Sequence, residues 1–224
     1  MKNTIQHKLL MVATLVCLAI TTGFSQQTAQ NISCLKTDLN QDAVVDINDY
    51  IIFAPAFGTT CSGASCPTDF DNNGVTDIND FMIFAPAFGS RCEAFIFDVT
   101  NAVYSSGYVD VPLSVSLTQV DNNGIDIDQY YNKSKLTPNS LIQIVPNLFI
   151  SFNPDAGNGL LIISGYLNDP GNNSPNFPNN ATINLLSVRF AIGAGQTINK
   201  SDFYSTDRSL AGIVHTRTIG VIVK

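Results

Sequence analysis

DLNQDAVVDINDYIIFAPAFG at residues 38–58 returns as DFDNNGVTDINDFMIFAPAFG at residues 69–89. The offset is 31 residues and 13 of the 21 positions are identical. Each copy places oxygen-bearing side chains at positions 1, 3, 5, 9 and 12: Asp38, Asn40, Asp42, Asp46 and Asp49, then Asp69, Asp71, Asn73, Asp77 and Asp80. A hard divalent cation such as calcium takes six to eight oxygens at about 2.3–2.6 Å, and a tight loop supplies them by aiming alternate side chains inward. Position 7 then contributes only a backbone carbonyl, here from Val44 and Val75, so its side chain is free to vary. A single Asp/Asn-rich run is often no more than a solvated turn. Two in-register copies, each with the same apolar segment behind it, favour a pair of metal loops.

The EF-hand pattern ends in Glu, whereas these loops end in the shorter Asp49 and Asp80. Duplicated twelve-residue loops ending in Asp, each followed by one helix, resemble the dockerin module. That resemblance implies Ca2+ in both loops, hence two sites. It also implies a partner-contacting role for loop positions 10 and 11, which are Ile47-Asn48 and Ile78-Asn79 here, where dockerins of cellulose-degrading assemblies often carry Ser-Thr. Basic residues often seen on dockerin helices are missing, and position 6, usually Gly, is Gly74 in one copy and Ala43 in the other.

Behind the loops, Ile47, Tyr50, Ile51 and Ala54, and likewise Ile78, Phe81, Met82 and Ala85, recur at helical spacing, which predicts one buried face. Pro55 and Pro86 are expected to end or kink each helix after about two turns. Phe57 and Phe88 are expected to fold back toward a core, and Gly58 and Gly89 to close each unit.

Cysteines fence the repeat: Cys34 and Cys66 precede the loops, and Cys61 and Cys92 follow the closing glycines. An even number in an oxidising compartment points to two disulfides, with three possible connectivities. Zinc is a poor alternative, because C-x4-C with no nearby His is a weak ligand set. Antiparallel helices, as in dockerins, would imply the pairing Cys34–Cys92 and Cys61–Cys66.

The first 25 residues read as a signal peptide: Lys2 and Lys8 precede or flank an apolar run from Leu9 to Ile20, followed by Gly23-Phe24-Ser25. That run is too short for a stable membrane-spanning helix, so the chain is expected to be secreted and extracellular, with no transmembrane segment. Residues 26–33 form a polar, mobile lead-in, and 34–92 a small α module of two loop–helix repeats. Without residues 1–25 the chain holds 9 basic and 18 acidic residues, a formal charge of −9, which argues against nucleic acid as a partner. Seventeen of the 18 acids are Asp, and Glu93 is the only Glu, a bias that suits turns and cation loops.

From Ala94 the pattern changes to AFIFDVTN, YVDVPLSVSLT, IDIDQYY, LIQIVPNLFISF, GLLIISGYL, ATINLLSVRFAI and RTIGVIVK. These runs alternate and are rich in β-branched and aromatic residues, which predicts an all-β sandwich over 94–224. The segments GIDIDQYYNKSKLTP (124–138), NGLLIISGYLND and INLLSVRFAI look like a cohesin domain, with Tyr131-Asn132-Lys133-Ser134-Lys135-Leu136 where that family has an Asp-Pro-like element. About 130 residues of this pattern suggest roughly eight or nine strands, and the resemblance implies that they form a jelly roll. Some carbohydrate-binding modules share that fold.

Little in the chain suits catalysis. A glycosidase needs two positioned carboxylates, commonly including a Glu, and His215 is the only histidine after the signal peptide. Asp121-Asn122-Asn123-Gly124-Ile125-Asp126 imitates half a metal loop but reads better as a β-turn, since no helix follows. The expected function is therefore that of a non-enzymatic scaffold or attachment protein, engaging a secreted or cell-surface protein, with a possible place in extracellular polysaccharide degradation. The alternative is a carbohydrate-binding accessory protein whose sandwich binds polysaccharide, with Tyr130, Tyr131 and Tyr166 as a stacking face.

Overall fold

The computed structural model describes residues 33–61, 66–118, 124–167, 177–178, 180–204, 212–214 and 217–224. The segment read as a signal peptide, the lead-in up to residue 32, residues 121–123 of the expected β-turn and His215 lie outside the described residues. Among those described, no helix is long and apolar enough to cross a membrane.

The repeat folds as two loop–helix units. Helix α1 is Ile47–Phe53 and α2 is Ile78–Ala87, preceded by a helical turn over 33–37 that is too short and polar to stand out in the sequence. Each loop pairs with the segment leaving the other unit's helix. Ala43 O accepts from Cys92 N at 2.8 Å, and Gly74 O accepts from Cys61 N at 2.8 Å. Likewise Val45 N donates to Ser90 O at 2.9 Å and Thr76 N to Thr59 O at 3.0 Å. This reciprocal exchange gives the repeat its approximate two-fold symmetry. Two disulfides follow the same plan, joining Cys34 to Cys92 and Cys61 to Cys66.

The helices bury a different face from the one their apolar spacing suggests. Ile47, Ile51, Ile78 and Met82 are 55–66% exposed, while Asp49, Phe53, Asp80, Phe84 and Ala87 point inward. The reason is the capping box: Asp49 and Asp80 sit at the third helical position and each accepts the N–H of its N-cap residue. That fixes the rotation of each helix, and the residue four places on, Phe53 or Phe84, shares the inward face. Apolar residues occur all around these helices, so periodicity had two faces to choose from. Phe53 stacks on Phe70 and Phe84 at ring separations of 5.7 and 5.4 Å. Phe57 and Phe88 stay half-exposed, leaning on Phe53 and Phe84. Pro55 lies in a 3-10 turn, Ala54–Ala56, but α2 continues through Pro86 to Ala87. A proline in the last turn forfeits one exposed hydrogen bond and does not stop the helix. Gly58 and Gly89 close the units with φ of 81° and 83°.

Beyond the repeat the described chain is β apart from a 3-10 turn, Lys200–Asp202. In chain order the strands are β1 (Ala94–Phe97), β2 (Val103–Ser105), β3 (Tyr108–Leu117), β4 (Gly124–Tyr131), β5 (Leu136–Gln143) and β6 (Leu148–Asn153). They continue with β7 (Leu160–Leu167), β8 (Ala181–Ile192), β9 (Phe203–Tyr204), β10 (Gly212–Val214) and β11 (Arg217–Val223). Pairing runs β5-β8-β3-β1-β11 in one sheet and β11-β10-β4-β7-β6 in the other, with β2 and β9 beside β3 and β4. Among the described residues the eleven strands exceed the eight or nine expected, because β2 and β9 are two or three residues long and show no alternation. LIQIVPNLFISF also divides between β5 and β6. Alternation places Val109, Val111, Leu113 and Val115 of β3 against Ile125 and Ile127 of β4 and Leu161 and Ile163 of β7 in the sandwich core. Asp202 ties down the 132–135 loop, accepting from Lys135 Nζ at 2.6 Å and Asn132 Nδ2 at 3.2 Å.

Strand β1 is buried on both sides. Phe95 and Phe97 enter the sandwich core, whereas Ala94 and Ile96, with Ile222 of β11, enter a second core that contains Val45, Phe53, Phe70 and Phe84. The repeat is thus packed on the outer face of the strands that begin and end the sandwich. Phe84 is 1% exposed and touches both neighbouring rings of this core. Phe84→Ala is expected to cost about 3–5 kcal/mol, read as a lower midpoint in urea unfolding.

Candidate metal centre

Carboxylates converge in the loops because backbone amides hold them there. In the first loop, Asp49 Oδ1 accepts from Leu39 N at 2.7 Å and Asn40 N at 3.0 Å, and its Oδ2 from Asp46 N at 2.8 Å. In the second, Asp80 Oδ1 accepts from Phe70 N and Asp71 N, and its Oδ2 from Asp77 N at 2.8 Å. The position-1 acids match as well. Asp38 accepts from Asp42 N and Ala43 N, and Asp69 from Asn73 N and Gly74 N.

Positions 3 and 5 differ in order but not in pattern. Asn40 donates its amide to Asp42 Oδ2 at 2.9 Å, and Asn73 donates to Asp71 Oδ2 at 2.9 Å. One acid and one amide therefore face each other in both loops. Asp46 and Asp77 at position 9 cap the helices, accepting from Asn48 N and Asn79 N at 2.7 Å. Val44 and Val75 lie between residues whose main-chain groups pair across the repeat, and their own N–H groups turn to Asp42 Oδ1 and Asn73 Oδ1. In extended backbone the carbonyl of a residue points to the same side as its N–H. Both position-7 carbonyls are thereby on the loop side.

Asp69, Asp71 and Asp80 each offer a carboxylate oxygen, all within 4.8 Å of one another. Among the described residues no other acid trio meets that closeness; the first loop has the amide of Asn40 where the second has Asp71. Three like charges so placed repel one another unless a cation lies between them. The oxygen-only donor set suits a hard divalent ion and not zinc or a soft metal. Positions 4 and 6 are left-handed in both copies, with φ of 63° at Gln41 and 59° at Asn72, and 66° at Ala43 and 91° at Gly74. A Cβ at Gly74 would meet open space, so strain is the only penalty there.

Residues at positions 10 and 11 stand outward at the starts of both helices, with Ile47 and Ile78 55% and 57% exposed. The three tyrosines considered for sugar stacking separate. Tyr131 is buried in the sandwich core at 2% exposure and is removed from any such face. Tyr130 stacks on Tyr204 at 5.7 Å, and Tyr166 on Phe149 at 5.5 Å. The partners Phe149 and Tyr204 were missed because only the pairing of β6 with β7, and of β9 with β4, brings them across.

No family model matches the chain, and no curated protein does. Its structural neighbours are cohesins and cohesin–dockerin assemblies. A type II cohesin-dockerin domain from Bacteroides cellolosolvens is 37% identical, covering 25% of this chain and 88% of that one, with a TM-score of 0.23. The sixth cohesin of scaffoldin B from Acetivibrio cellulolyticus, solved with a dockerin, is 15% identical over 59% of this chain and 99% of that one, with a TM-score of 0.37. A non-cellulosomal cohesin from the archaeon Archaeoglobus fulgidus is 10% identical over 58% of this chain and 86% of that one, with a TM-score of 0.35.

Burial pushes the Asp38 carboxyl up to about 6, repulsion from Asp49 and Asp42 adds to this, and the N–H groups of Ala43 and Asp42 oppose it. A carboxyl raised in the folded state contributes stability that is present below its unfolded value and lost as pH climbs through its folded one. With a chelator present, the urea midpoint is expected to fall between about pH 4 and about pH 7, and a divalent cation to reverse that trend. Gly74→Ala should cost about 1–2 kcal/mol through its left-handed backbone, measured by the same unfolding curve.

Proposed function

We propose that this chain is a secreted, non-catalytic assembly protein whose repeat binds two calcium ions and presents its paired helix starts to a protein partner. The observation that carries this reading is the matched loop pair, in which the twelfth-position carboxylate is held by three backbone amides in both copies. One ion would be held by Asp38, Asn40, Asp42, the Val44 carbonyl, Asp46 and Asp49. The other would be held by Asp69, Asp71, Asn73, the Val75 carbonyl, Asp77 and Asp80. Each ion neutralises its clustered carboxylates, which otherwise oppose the fold. The apolar surface of Ile47 and Ile78, bordered by Asn48 and Asn79, is the contact for a secreted or cell-surface protein. The dockerin-like loop pattern and the cohesin-like strand pattern both favour assembly over catalysis.

Calorimetric titration of the chain lacking residues 1–25 is expected to give two calcium ions bound. A site occupied at a hundred times its dissociation constant adds about 2.7 kcal/mol, so chelation should lower the melting temperature by several degrees. An unchanged melting curve would overturn the metal assignment. For docking, a paired Ile47→Asp and Ile78→Asp variant is expected to lose partner capture while still binding two ions.

A second reading has one observation in its favour: two stacked aromatic pairs, Phe149/Tyr166 and Tyr130/Tyr204, flank the second sheet, with Asp126 and Ser164 hydrogen-bonded between them at 2.6 Å. Stacked rings beside polar groups suit a polysaccharide chain. Retention on insoluble polysaccharide that disappears in a Phe149→Ala, Tyr166→Ala variant would favour it.

A further inference from the structure

The two loops share one design, yet their surroundings differ. At position 6 the backbone is left-handed in both, which suits Gly74 and strains Ala43 by about 1–2 kcal/mol. Ala43 is 0% exposed and belongs to the core shared by the repeat and the sandwich, with Ala94, Ile96 and Ile222. Its methyl fills space that glycine would leave empty. The departure from glycine therefore marks the loop that meets the sandwich.

Several further contacts converge on the same junction. Ala43 O accepts from Cys92 N at 2.8 Å, two residues before β1 begins, and Cys92 is bonded to Cys34. Gln41 Oε1, at position 4, accepts from Lys200 Nζ at 2.8 Å. Leu35 lies over Gly220 of β11, where any Cβ would collide with it. Arg91 Nη1 donates to Thr182 Oγ1 at 2.9 Å, reaching the start of β8. The second loop enters the same core through Phe70, which stacks on Phe53 and Phe84 of the repeat itself. Asp71, Asn72 and Asn73 are exposed, and among the described residues the hydrogen bonds of 69–80 stay within the repeat.

We infer that the first loop is a latch: its ion holds the repeat on β1 and β11, the strands that begin and end the sandwich, while the second loop's ion acts on the repeat alone. This rests on the calcium reading above and assigns the two sites different work. An ion in the first loop orders the 38–45 backbone, whose Ala43 and Val45 share a buried core with Ile96 and Ile222. Losing it would expose those side chains and loosen the parallel pairing of β1 with β11. The assembly protein would then be closed as one body only when the first site is filled.

The test compares Asp42→Asn with Asp71→Asn in the chain lacking residues 1–25, with calcium present. Each replaces one acid by its isosteric amide, in the first and second loop respectively. Hydrogen exchange is read at the amides of Phe95–Phe97 and Ile219–Val223, and bound calcium is counted by calorimetry. Asp42→Asn is expected to speed exchange at these amides about tenfold or more, and Asp71→Asn to leave them within about twofold, each variant losing one ion. Leu35→Ala supplies an arm that leaves the ligands intact, and it is expected to speed the same amides while two ions still bind. Equal effects of the two Asp variants, or no effect of Asp42→Asn, would overturn the latch while leaving two-site binding in place. No calcium bound by the parent chain would overturn the functional reading itself, and the latch with it.

Discussion

One carboxylate at the twelfth loop position, doubled, sets most of this structure. Asp49 and Asp80 each gather three backbone N–H groups, two from the start of the loop and one from the helix N-cap. A buried carboxylate costs several kcal/mol unless it is satisfied in this way. Because the same residue is the third of its helix, satisfying it also fixes how that helix is rotated. The phenylalanine one turn later is carried inward, and the three-ring stack of Phe53, Phe70 and Phe84 follows. The outward face is left apolar as a by-product of the same rotation, which is why Ile47, Ile51, Ile78 and Met82 meet solvent.

A repeat of this size has too little core to stand easily alone. It finds additional surface by packing on β1, a four-residue strand with no solvent-facing side. Alternation sends Phe95 and Phe97 one way and Ala94 and Ile96 the other, so a single strand serves two cores. Glu93, just before it, is buried and accepts from Thr118 N and Oγ1 at 3.1 and 2.6 Å. Repeat and sandwich are therefore joined by packing as well as by chain continuity, which separates this arrangement from a docking arm on a flexible tether.

Within the sandwich, long-range pairing settles what neighbours in sequence cannot. Asp110 of β3 and Arg189 of β8 are cross-strand partners and meet as a two-pronged ion pair at 2.7 Å. The aromatic pairs on the second sheet arise in the same way, from residues 17 and 74 positions apart brought into register. Neither pair is visible as a motif, since its two members lie in different strands that only the sheet pairing brings side by side.

Read alone, the sequence contained the doubled loops and the extended character of the described strands beyond residue 94, because these depend on local spacing: period two for strands, alternate oxygen-bearing side chains for the loops. It did not contain the rotation of the helices. Residues 47–54 and 78–85 are apolar on more than one face, and the inward choice comes from the amides that Asp49 and Asp80 must satisfy. It also held no reason for Ala43 in place of glycine. Only the shared core supplies one, since the burial of residues 43, 96 and 222 in one cluster exists in three dimensions and leaves no periodic trace along the chain.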